Sequence, residues 1–410
     1  MILNYIWVSF FLLAFAVAVV KLFFFQDMEV FPQMLNSTFD MAKTGFEISL
    51  YLTGVMSLWL GIMKIGERSG IVAILSRWVG PFFSKLFPGI PTNHPATGSI
   101  IMNFSANMLG LDNAATPLGL KAMKEMQELN TDKETASNAQ IMFLALNTSG
   151  FTIIPLAIIL DRSILGAANP TDIFIPTLIA TSISSLAALI VVSLYQKINL
   201  LNSVVLSYLM GFSLIIGGSV YYFTTLSQDQ LTVQSNLISS FIIITVIISF
   251  LILGLLKKIP LFETFVEGAK EGFETSIKII PYLIAILVSI GVFRASGTLD
   301  YFTGGIGWMV AVAGMNTDFV DALPVAFLKP LSGGAAKGMM VETIKTYGPD
   351  SFVGRLASIL RGCTETTFYI LAVYFGSVNI RKTRYALTVG LIADLVGVIT
   401  GIFVAYLFFH

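Results

Sequence analysis

Long apolar runs dominate the chain and predict a series of transmembrane helices. A run of about 20 apolar residues crosses the hydrocarbon core of a bilayer. Such runs occur near residues 5–25, 46–64, 138–160, 172–195, 201–222, 237–256, 277–293, 352–376 and 385–409. The first run lacks a basic n-region and a small-residue cleavage site, so we interpret it as a retained span rather than a signal peptide. The pattern predicts about nine crossings.

Two further apolar stretches, 71–87 and 301–314, are harder to assign. The first carries Arg77, Trp78 and Lys85, and the second is short and rich in glycine. Charge and short length favour helices that lie in the membrane interface. A short span is the alternative for each.

One stretch of membrane-span length, residues 95–124, is interrupted by polar side chains. These are Asn103, Asn107, Asp112, Asn113 and Thr116. A lipid-facing helix would not contain them, because unsatisfied polar groups are costly in hydrocarbon. We predict a re-entrant or broken helix that is buried in protein and lines a cavity. This segment is the first candidate site.

A second interrupted segment, residues 318–342, contains prolines and a glycine pair. An apolar stretch too short to cross the membrane precedes Ser332, Gly333 and Gly334, which open the next predicted helix. Backbone N–H groups at a helix start attract anions or carbonyls, and Lys337 adds positive charge nearby. The alternative is a glycine hinge whose lysines reach to the interface.

The two interrupted segments belong to an internal repeat. Residues 42–49 read AKTGFEIS and residues 269–276 read AKEGFETS, a shift of 227 (269 minus 42). The same shift places Ser69-Gly70 on Ser296-Gly297. The repeat divides the chain into a first half (1–200), connecting spans (201–256) and a second half (257–410).

The repeats are predicted to be inverted. Basic residues are concentrated in cytoplasmic loops, and placing the basic loops after 256 and after 380 in the cytoplasm makes the N-terminus cytoplasmic too. Five crossings then separate the two copies, so the copies have opposite orientations; a crossing at 71–87 would make them parallel. Inverted repeats with broken helices are a recurring plan of secondary transporters.

Composition supports a membrane protein and argues against other classes. Of 410 residues 55% are hydrophobic and 12% charged, and the mean hydropathy is +0.83, whereas about a quarter of residues are charged in soluble proteins. The 24 basic and 24 acidic residues balance, so nothing indicates a nucleic-acid partner. One cysteine and two histidines argue against a metal site, and we expect no cofactor. The motifs GxSxG and HExxH are absent, so we expect no enzyme.

Ionisable residues inside predicted spans are further candidates, because they are costly there and usually face a cavity. Arg361 and Glu365 lie four residues apart within 352–376, where one helical turn would place them on one face. Asp394 lies near the centre of the last span. We assign these three residues to coupling with a proton or cation. A salt bridge or polar contact that only locks helices together is the alternative.

The equivalent positions of the first half are uncharged. Asn147, Thr148 and Ser149 stand where the second half has Thr364, Glu365 and Thr366. One half therefore offers amide and hydroxyl groups and the other adds charge, which suits a polar organic solute with a coupled ion. Ordinary interhelical hydrogen bonding is the alternative for the uncharged residues.

Longer motifs resemble a known family. The first half, with NHPATGSIIMNFSANMLGLDNAATPLGLKAMKEMQ, resembles spore maturation protein A, and the second, with LPVAFLKPLSGGAAKG and LRGCTETTFYILAVYFG, resembles spore maturation protein B. The chain looks like a fusion of the two. In that family each half carries a nucleoside recognition, or Gate, domain, named by similarity to concentrative nucleoside transporters. The resemblance implies inverted repeats with helical hairpins and unwound helices.

The resemblance also implies which motif residues form the site. In the first motif they are Asn103, Asn107, Asn113 and Thr116; in the second they are Ser332, Gly333, Gly334, Lys337, Thr364, Glu365 and Thr366. In spore-formers the family is linked to dehydration of the spore core, but the fused form is not confined to them.

We therefore predict an all-α, multi-pass protein of the bacterial inner membrane that acts as a secondary transporter or permease. Its expected partners are the lipid bilayer, a small polar solute such as a nucleoside, a coupling proton or cation and, by analogy with elevator-like carriers, a second copy. The tips of the two interrupted segments are predicted to meet near the midplane, beside Asn147 and Glu365. The competing interpretation is a non-transporting scaffold or sensor that binds an envelope protein, a lipid or a ligand.

Overall fold

The regular secondary structure of the chain is helical. A computed structural model describes residues 2–91, 94–108, 112–153, 155–226 and 228–410, and no β-strand occurs within these ranges. The helices are α1 (Ile2–Phe25), α2 (Val30–Ser69), α3 (Ile71–Leu86), α4 (Pro95–Met108), α5 (Asp112–Leu129), α6 (Asn138–Thr148), α7 (Leu156–Ile164), α8 (Phe174–Gln196), α9 (Ser203–Thr224), α10 (Gln228–Leu256), α11 (Leu261–Ala295), α12 (Thr298–Val312), α13 (Leu323–Leu328), α14 (Gly333–Tyr347), α15 (Phe352–Gly362), α16 (Thr367–Ser377) and α17 (Ala386–Phe409). A short 3₁₀ turn, Val320–Ala322, precedes α13.

Five of the described helices are long and apolar enough to cross a membrane. The stretches concerned are Trp7–Phe25, Val30–Ser69, Phe174–Gln196, Ser203–Phe223 and Ala386–Phe409. A sixth span results if Leu283–Ala295 and Thr298–Val312, which meet at a bend of 68°, cross together. The prediction of an all-α polytopic membrane protein is confirmed.

Two of the predicted spans are not continuous helices. Residues 138–160 form α6, which ends at Thr148, and α7, which begins at Leu156, so that the described residues 149–153 and 155 form a break. Residues 352–376 form α15 and α16 with a break at 363–366. The first break begins where Gly150 adopts a left-handed backbone conformation (φ 66°). The second coincides with a run of threonines, whose branched side chains are less favourable in helices than straight-chain residues. The predicted count of about nine crossings treats both stretches as unbroken helices.

The chain divides into two compact units. Unit 1 comprises Met1–Gly61, Leu160–Pro170 and Val266–Arg361; unit 2 comprises Ile62–Ile159, Thr171–Phe265 and Gly362–His410. Each unit contains segments of both sequence halves. The repeat therefore does not coincide with the compact units.

Equivalent hydrogen bonds mark the internal repeat within α2 and α11, the two helices that carry the repeated motif and are called lead-in helices below. On α2 the Ser49 hydroxyl donates to the carbonyl of Gly45 at 2.6 Å. On α11 the Ser276 hydroxyl donates to the carbonyl of Gly272 at 2.9 Å. Both residues of the second bond follow those of the first by the shift of 227, so the repeated AKxGFExS motif has the same local structure in both copies.

The ends of these two helices also match. Gly70 follows α2 with a φ of 77°, and Gly297 follows α11 with a φ of 80°. The preceding serines, Ser69 and Ser296, are both buried and each donates its hydroxyl to a carbonyl three residues back. A left-handed residue without a Cβ ends each helix and redirects the chain.

The order of elements extends the repeat over most of the chain. Helices α1 to α8 have counterparts in α10 to α17, since a single long helix precedes each lead-in helix and a broken span precedes each last helix. Helix α9 has no counterpart. We therefore assign α10 to the second repeat, whereas the apolar pattern alone places it in the connection.

The core of unit 2 is formed where α8 and α17 pack along each other, with α6 and α16 beside them. Small residues allow the close approach: a Cβ built on Gly397 of α17 would lie 3.4 Å from Cβ of Ser184 on α8. The Ser184 hydroxyl donates to the carbonyl of Ala393 at 2.9 Å. This pair of helices supports both breaks.

Candidate functional site

The first interrupted segment is a helical hairpin in unit 2. Helices α4 and α5 pack against each other, and the Asn103 amide donates to the carbonyl of Ala115 at 2.7 Å. The residues between the helices, 109–111, lie outside the described ranges. The prediction of a broken segment is confirmed, and its re-entrant position in a membrane stays a prediction.

Three predicted site residues form a continuous chain of amide hydrogen bonds. The Asn107 Nδ2 group lies 3.4 Å from Asn103 Oδ1 and 2.9 Å from Asn147 Oδ1. Asn147 in turn donates to the carbonyl of Phe143 at 2.8 Å. The hairpin is therefore connected through side-chain amides to the end of α6, where the first break begins.

The two helix breaks meet through their backbones. The Glu365 N–H group donates to the carbonyl of Thr148, the last residue of α6, at 3.0 Å. A helix leaves its last carbonyls without intrahelical partners, and one of them is satisfied here from the other break. A Cβ built on Gly150 would lie 2.8 Å from Glu365 N and 2.9 Å from Thr364 C. This contact between the two breaks, at Gly150 and Glu365, is called the crossing of the breaks below. Only glycine fits at position 150 without displacing the backbone of the other break.

Equivalent positions of the two breaks are held from the following helices. In the first break the Thr181 hydroxyl of α8 donates to the carbonyl of Gly150 at 2.8 Å. In the second, the hydroxyl of Thr367, which stands where the first half has Gly150, donates to Asp394 Oδ2 of α17 at 2.7 Å. In both repeats a side chain of the following helix bonds this position, but α8 donates in the first repeat and the carboxylate of α17 accepts in the second.

Asp394 is a buried carboxylate on α17. The residue is 5% exposed, and three of the helices packed against α17, namely α6, α8 and α16, contain no Asp, Glu, Lys, Arg or His. Thr367 is the first residue of α16, so the carboxylate lies at the positive end of a helix dipole. A buried carboxylate at this position is stabilised by a hydroxyl and by helix geometry.

The predicted shared face of Arg361 and Glu365 is wrong. Helix α15 ends at Gly362 and residues 363–366 are not helical, so four residues no longer measure one helical turn. Arg361 is partly buried and belongs to unit 1, whereas Glu365 is exposed and belongs to unit 2. Their assignment to ion coupling is not tested by this geometry.

The remaining unit 2 residues differ in their surroundings. Ser149 is buried and accepts a hydrogen bond from the Ser185 hydroxyl at 2.9 Å. Thr364 and Thr366 are buried in the second break. Thr116 is exposed on α5, and the side chain of Asn113 lies outside what the structure describes. Thr116 therefore has no established place in the site.

The second interrupted segment is also a hairpin, formed by α13 and α14 in unit 1. The Ser332 hydroxyl caps α14 by accepting from the N–H of Ala335 at 3.2 Å. Lys337 Nζ pairs with Asp161 Oδ1 at 2.7 Å. Gly333 is partly buried and Gly334 is exposed. Ser332 and Lys337 thus have partners inside the protein, and their contact with a solute stays a prediction, as does the meeting of the two hairpin tips.

Two charged residues of α7 were not singled out from the sequence. Asp161 is 4% exposed, and Arg162 is fully buried and donates to the carbonyl of Pro349 at 2.6 Å. Arg162 also lies 3.3 Å from the carboxylate of Asp350. The available signal is an adjacent pair of opposite charges at the end of the apolar run LAIIL.

Two cavities occur in unit 2 away from these groups. One is lined by Phe83, Ser84, Phe87, Ile90, Thr97 and Ile100, and the other by Lys133, Glu134, Gly376, Val378, Asn379, Ile380 and Arg381. No predicted site residue lines either cavity. The candidate site therefore rests on the crossing of the breaks and on the amide chain.

Comparison with known proteins finds similar sequences for both halves of the chain. The family model Gate, described as nucleoside recognition, matches residues 49–162 and 276–381. Spore maturation protein B of Bacillus subtilis (strain 168) is 47% identical over 174 residues, which cover 42% of this chain and 96% of that protein. Spore maturation protein A of the same organism is 45% identical over 188 residues, covering 46% of this chain and 92% of that protein. Each matched range contains one hairpin and one helix break.

Proposed function

Because the chain belongs to the Gate, or nucleoside recognition, family, we propose that it is a membrane carrier that moves a small polar solute, with nucleosides as the first candidates. The observation that carries this proposal is the crossing of two helix breaks at Gly150 and Glu365. Inverted-repeat carriers bind their solutes at broken helices, where backbone groups leave the helical pattern. The crossing offers such groups together with amides and hydroxyls.

The amide chain supplies a way to couple binding to movement. Asn107 holds Asn147, and so connects the hairpin to the first break. A solute with hydroxyl or ring-nitrogen groups can replace Asn107 as the partner of Asn147, because amides both donate and accept. That exchange would release the hairpin from α6. Solute binding and hairpin displacement would then be one event.

The two carboxylates have different proposed roles. Glu365 is exposed at the crossing, so we assign it to direct contact with the solute or a cation. Asp394 is buried and accepts from Thr367. A carboxylate only accepts hydrogen bonds, whereas a carboxylic acid can also donate. Protonation of Asp394 would therefore change the bonding at the start of α16.

We place the protein in the bacterial inner membrane with a cytoplasmic N-terminus, and expect a homodimer. The support is the set of apolar helices and the distribution of basic loops in the sequence. These placements do not enter the mechanism proposed above.

Uptake into proteoliposomes tests the proposal. Purified protein would be assayed with a panel of labelled nucleosides, with and without a proton or sodium gradient. We expect uptake by the native chain and a loss of about tenfold or more in Glu365→Gln, since a hydrogen bond to a charged group contributes roughly 1.5–3 kcal/mol. Glu263→Gln, an exposed carboxylate in the first turn of α11, is the matched control. Uptake that is unchanged in Glu365→Gln would remove Glu365 from the site.

The amide groups of the amide chain already have hydrogen-bond partners within the protein, which favours a second candidate function, that of a scaffold or sensor. Both polar atoms of the Asn147 side chain have partners within the protein, as expected of a rigid scaffold or of a sensor that opens on binding. This alternative predicts no uptake of any solute in the panel. A nucleoside that raises the melting temperature of the protein without being transported would identify a sensor.

A further inference from the structure

We propose that the two repeats are complementary parts of one fold. Each repeat completes the core of the other, as two different subunits of a dimer would, although here one chain carries both. The first part is residues 1–226, through α9, and the second part is residues 228–410, from α10. Each part presents a surface whose partner is a polypeptide carrying the other repeat. This inference does not depend on transport.

Unit 2 is built mainly from the first part but is completed by α10, α16 and α17 of the second. A Cβ built on Gly362 would lie 2.5 Å from Ile158 Cδ1 and 2.7 Å from Thr177 Cγ2. The bond from Ser184 to the Ala393 carbonyl also joins the two parts. Without the second part, α8 would lose the helix that covers it along its length.

The loops of unit 2 join the same two parts through backbone. The carbonyl of Glu134 accepts from the N–H groups of Arg381 at 2.9 Å and Lys382 at 3.0 Å, and the N–H of Ala136 donates to the carbonyl of Lys382 at 3.0 Å. Arg384 donates to the side chain of Asn138 at 2.9 Å. These bonds fix the register between the parts, which apolar packing alone would leave less specific.

Unit 1 shows the reverse arrangement, with α11 to α15 completed by segments of the first part. A Cβ on Gly45 of α2 would lie 2.9 Å from Ile284 Cγ1 of α11, and a Cβ on Gly272 of α11 would lie 2.5 Å from the carbonyl oxygen of Met56 on α2. Ile284 follows Ser57, the neighbour of Met56, by the shift of 227. The glycine repeated in the two motifs, Gly45 in α2 and Gly272 in α11, is therefore the residue at which each of these helices packs against the other.

Ion pairs that include the buried charges of α7 also join the two parts. Asp161 and Arg162 come from the first part, and their partners Lys337 and Asp350 come from the second. Removing one partner of a buried ion pair is strongly destabilising, because the remaining charge is left in a poorly polarisable environment. An isolated first part would contain Asp161 and Arg162 without these partners. The two parts therefore need each other to fold.

Cleavage of the intact protein tests the inference. A specific protease site inserted at residue 227, between α9 and α10, would be cut after purification of the full chain in mild detergent, with a different tag on each end. We expect both parts to co-elute as one helical species and to bind either affinity column together. Separation into two folded, monodisperse species would overturn the proposal, because each repeat would then be a self-contained domain.

Two further arms strengthen the test. Gly362→Leu should release the second part after cleavage, whereas Gly217→Leu on α9, where an added Cβ would meet nothing within 4 Å, should not. Co-expression of the two parts from separate genes should yield the same co-eluting pair. A stable, folded first part obtained without the second would contradict the inference whatever the behaviour of the variants.

Discussion

Replacing Gly150 by alanine should damage the crossing of the two helix breaks more than an ordinary loop substitution would. Gly150 has a φ of 66°, and a left-handed conformation costs a residue with a Cβ about 1–2 kcal/mol. The new Cβ would also lie 2.8 Å from Glu365 N and 2.9 Å from Thr364 C. These are backbone atoms and cannot rotate away, so overpacking adds about 1–3 kcal/mol. We expect a total loss of about 2–5 kcal/mol.

A matched control separates the two contributions. Gly166 has a φ of 80° but an added Cβ there would meet nothing within 4 Å, so Gly166→Ala should show the backbone strain alone. Melting temperatures in detergent at one scan rate would then be lower for Gly150→Ala by about 1–4 °C, because the unfolding entropy of a chain of 410 residues corresponds to about 1 °C for each kcal/mol. Asparagine tolerates the left-handed region, so it should restore much of the loss at position 166 and little at position 150. Equal melting temperatures for the two alanine variants would refute the close crossing.

Two further substitutions test the buried polar groups. Asp161→Asn and Lys337→Met should each destabilise the protein by about 3–5 kcal/mol, because each leaves the other charge unpaired; the double variant should recover part of this loss in a thermal unfolding cycle, and harmless single variants would contradict the pairing. Thr367→Val removes the hydroxyl that donates to Asp394 and should cost about 1–3 kcal/mol, whereas Thr367→Ser should retain the bond. Equal melting temperatures for the valine and serine variants would show that this bond adds nothing to stability.

Local sequence patterns were sufficient to predict the class of the protein, the two interrupted segments and the repeat. Apolar runs predict membrane helices because every backbone group in a bilayer must be satisfied within the segment. Amides at Asn103 and Asn107 predict an interrupted helix for the same reason. The shift of 227 is confirmed by matching hydrogen bonds at Ser49 and Ser276.

The helix breaks could not be predicted in this way, because their partners are distant in sequence. A short polar run between apolar flanks is equally compatible with a continuous helix that has a polar centre. The choice depends on the bond between the Glu365 N–H and the Thr148 carbonyl, and on the space left by Gly150. The interaction predicted for Glu365 with Arg361 assumed helical spacing, which the break removes.

The charge asymmetry between the repeats has a mechanical consequence. At equivalent positions, Gly150 is held through its carbonyl by Thr181, and Thr367 is held by the carboxylate of Asp394. A hydroxyl and a carbonyl do not titrate near neutral pH, so the bond at the first break does not depend directly on protonation. The bond at the second break involves a carboxyl group, which accepts hydrogen bonds as a carboxylate and can also donate one as an acid. If transport is coupled to protons, as proposed, protonation of Asp394 would change the contact between α16 and α17, while the bond from α8 to the first break would stay. The two repeats would then respond differently to the proton.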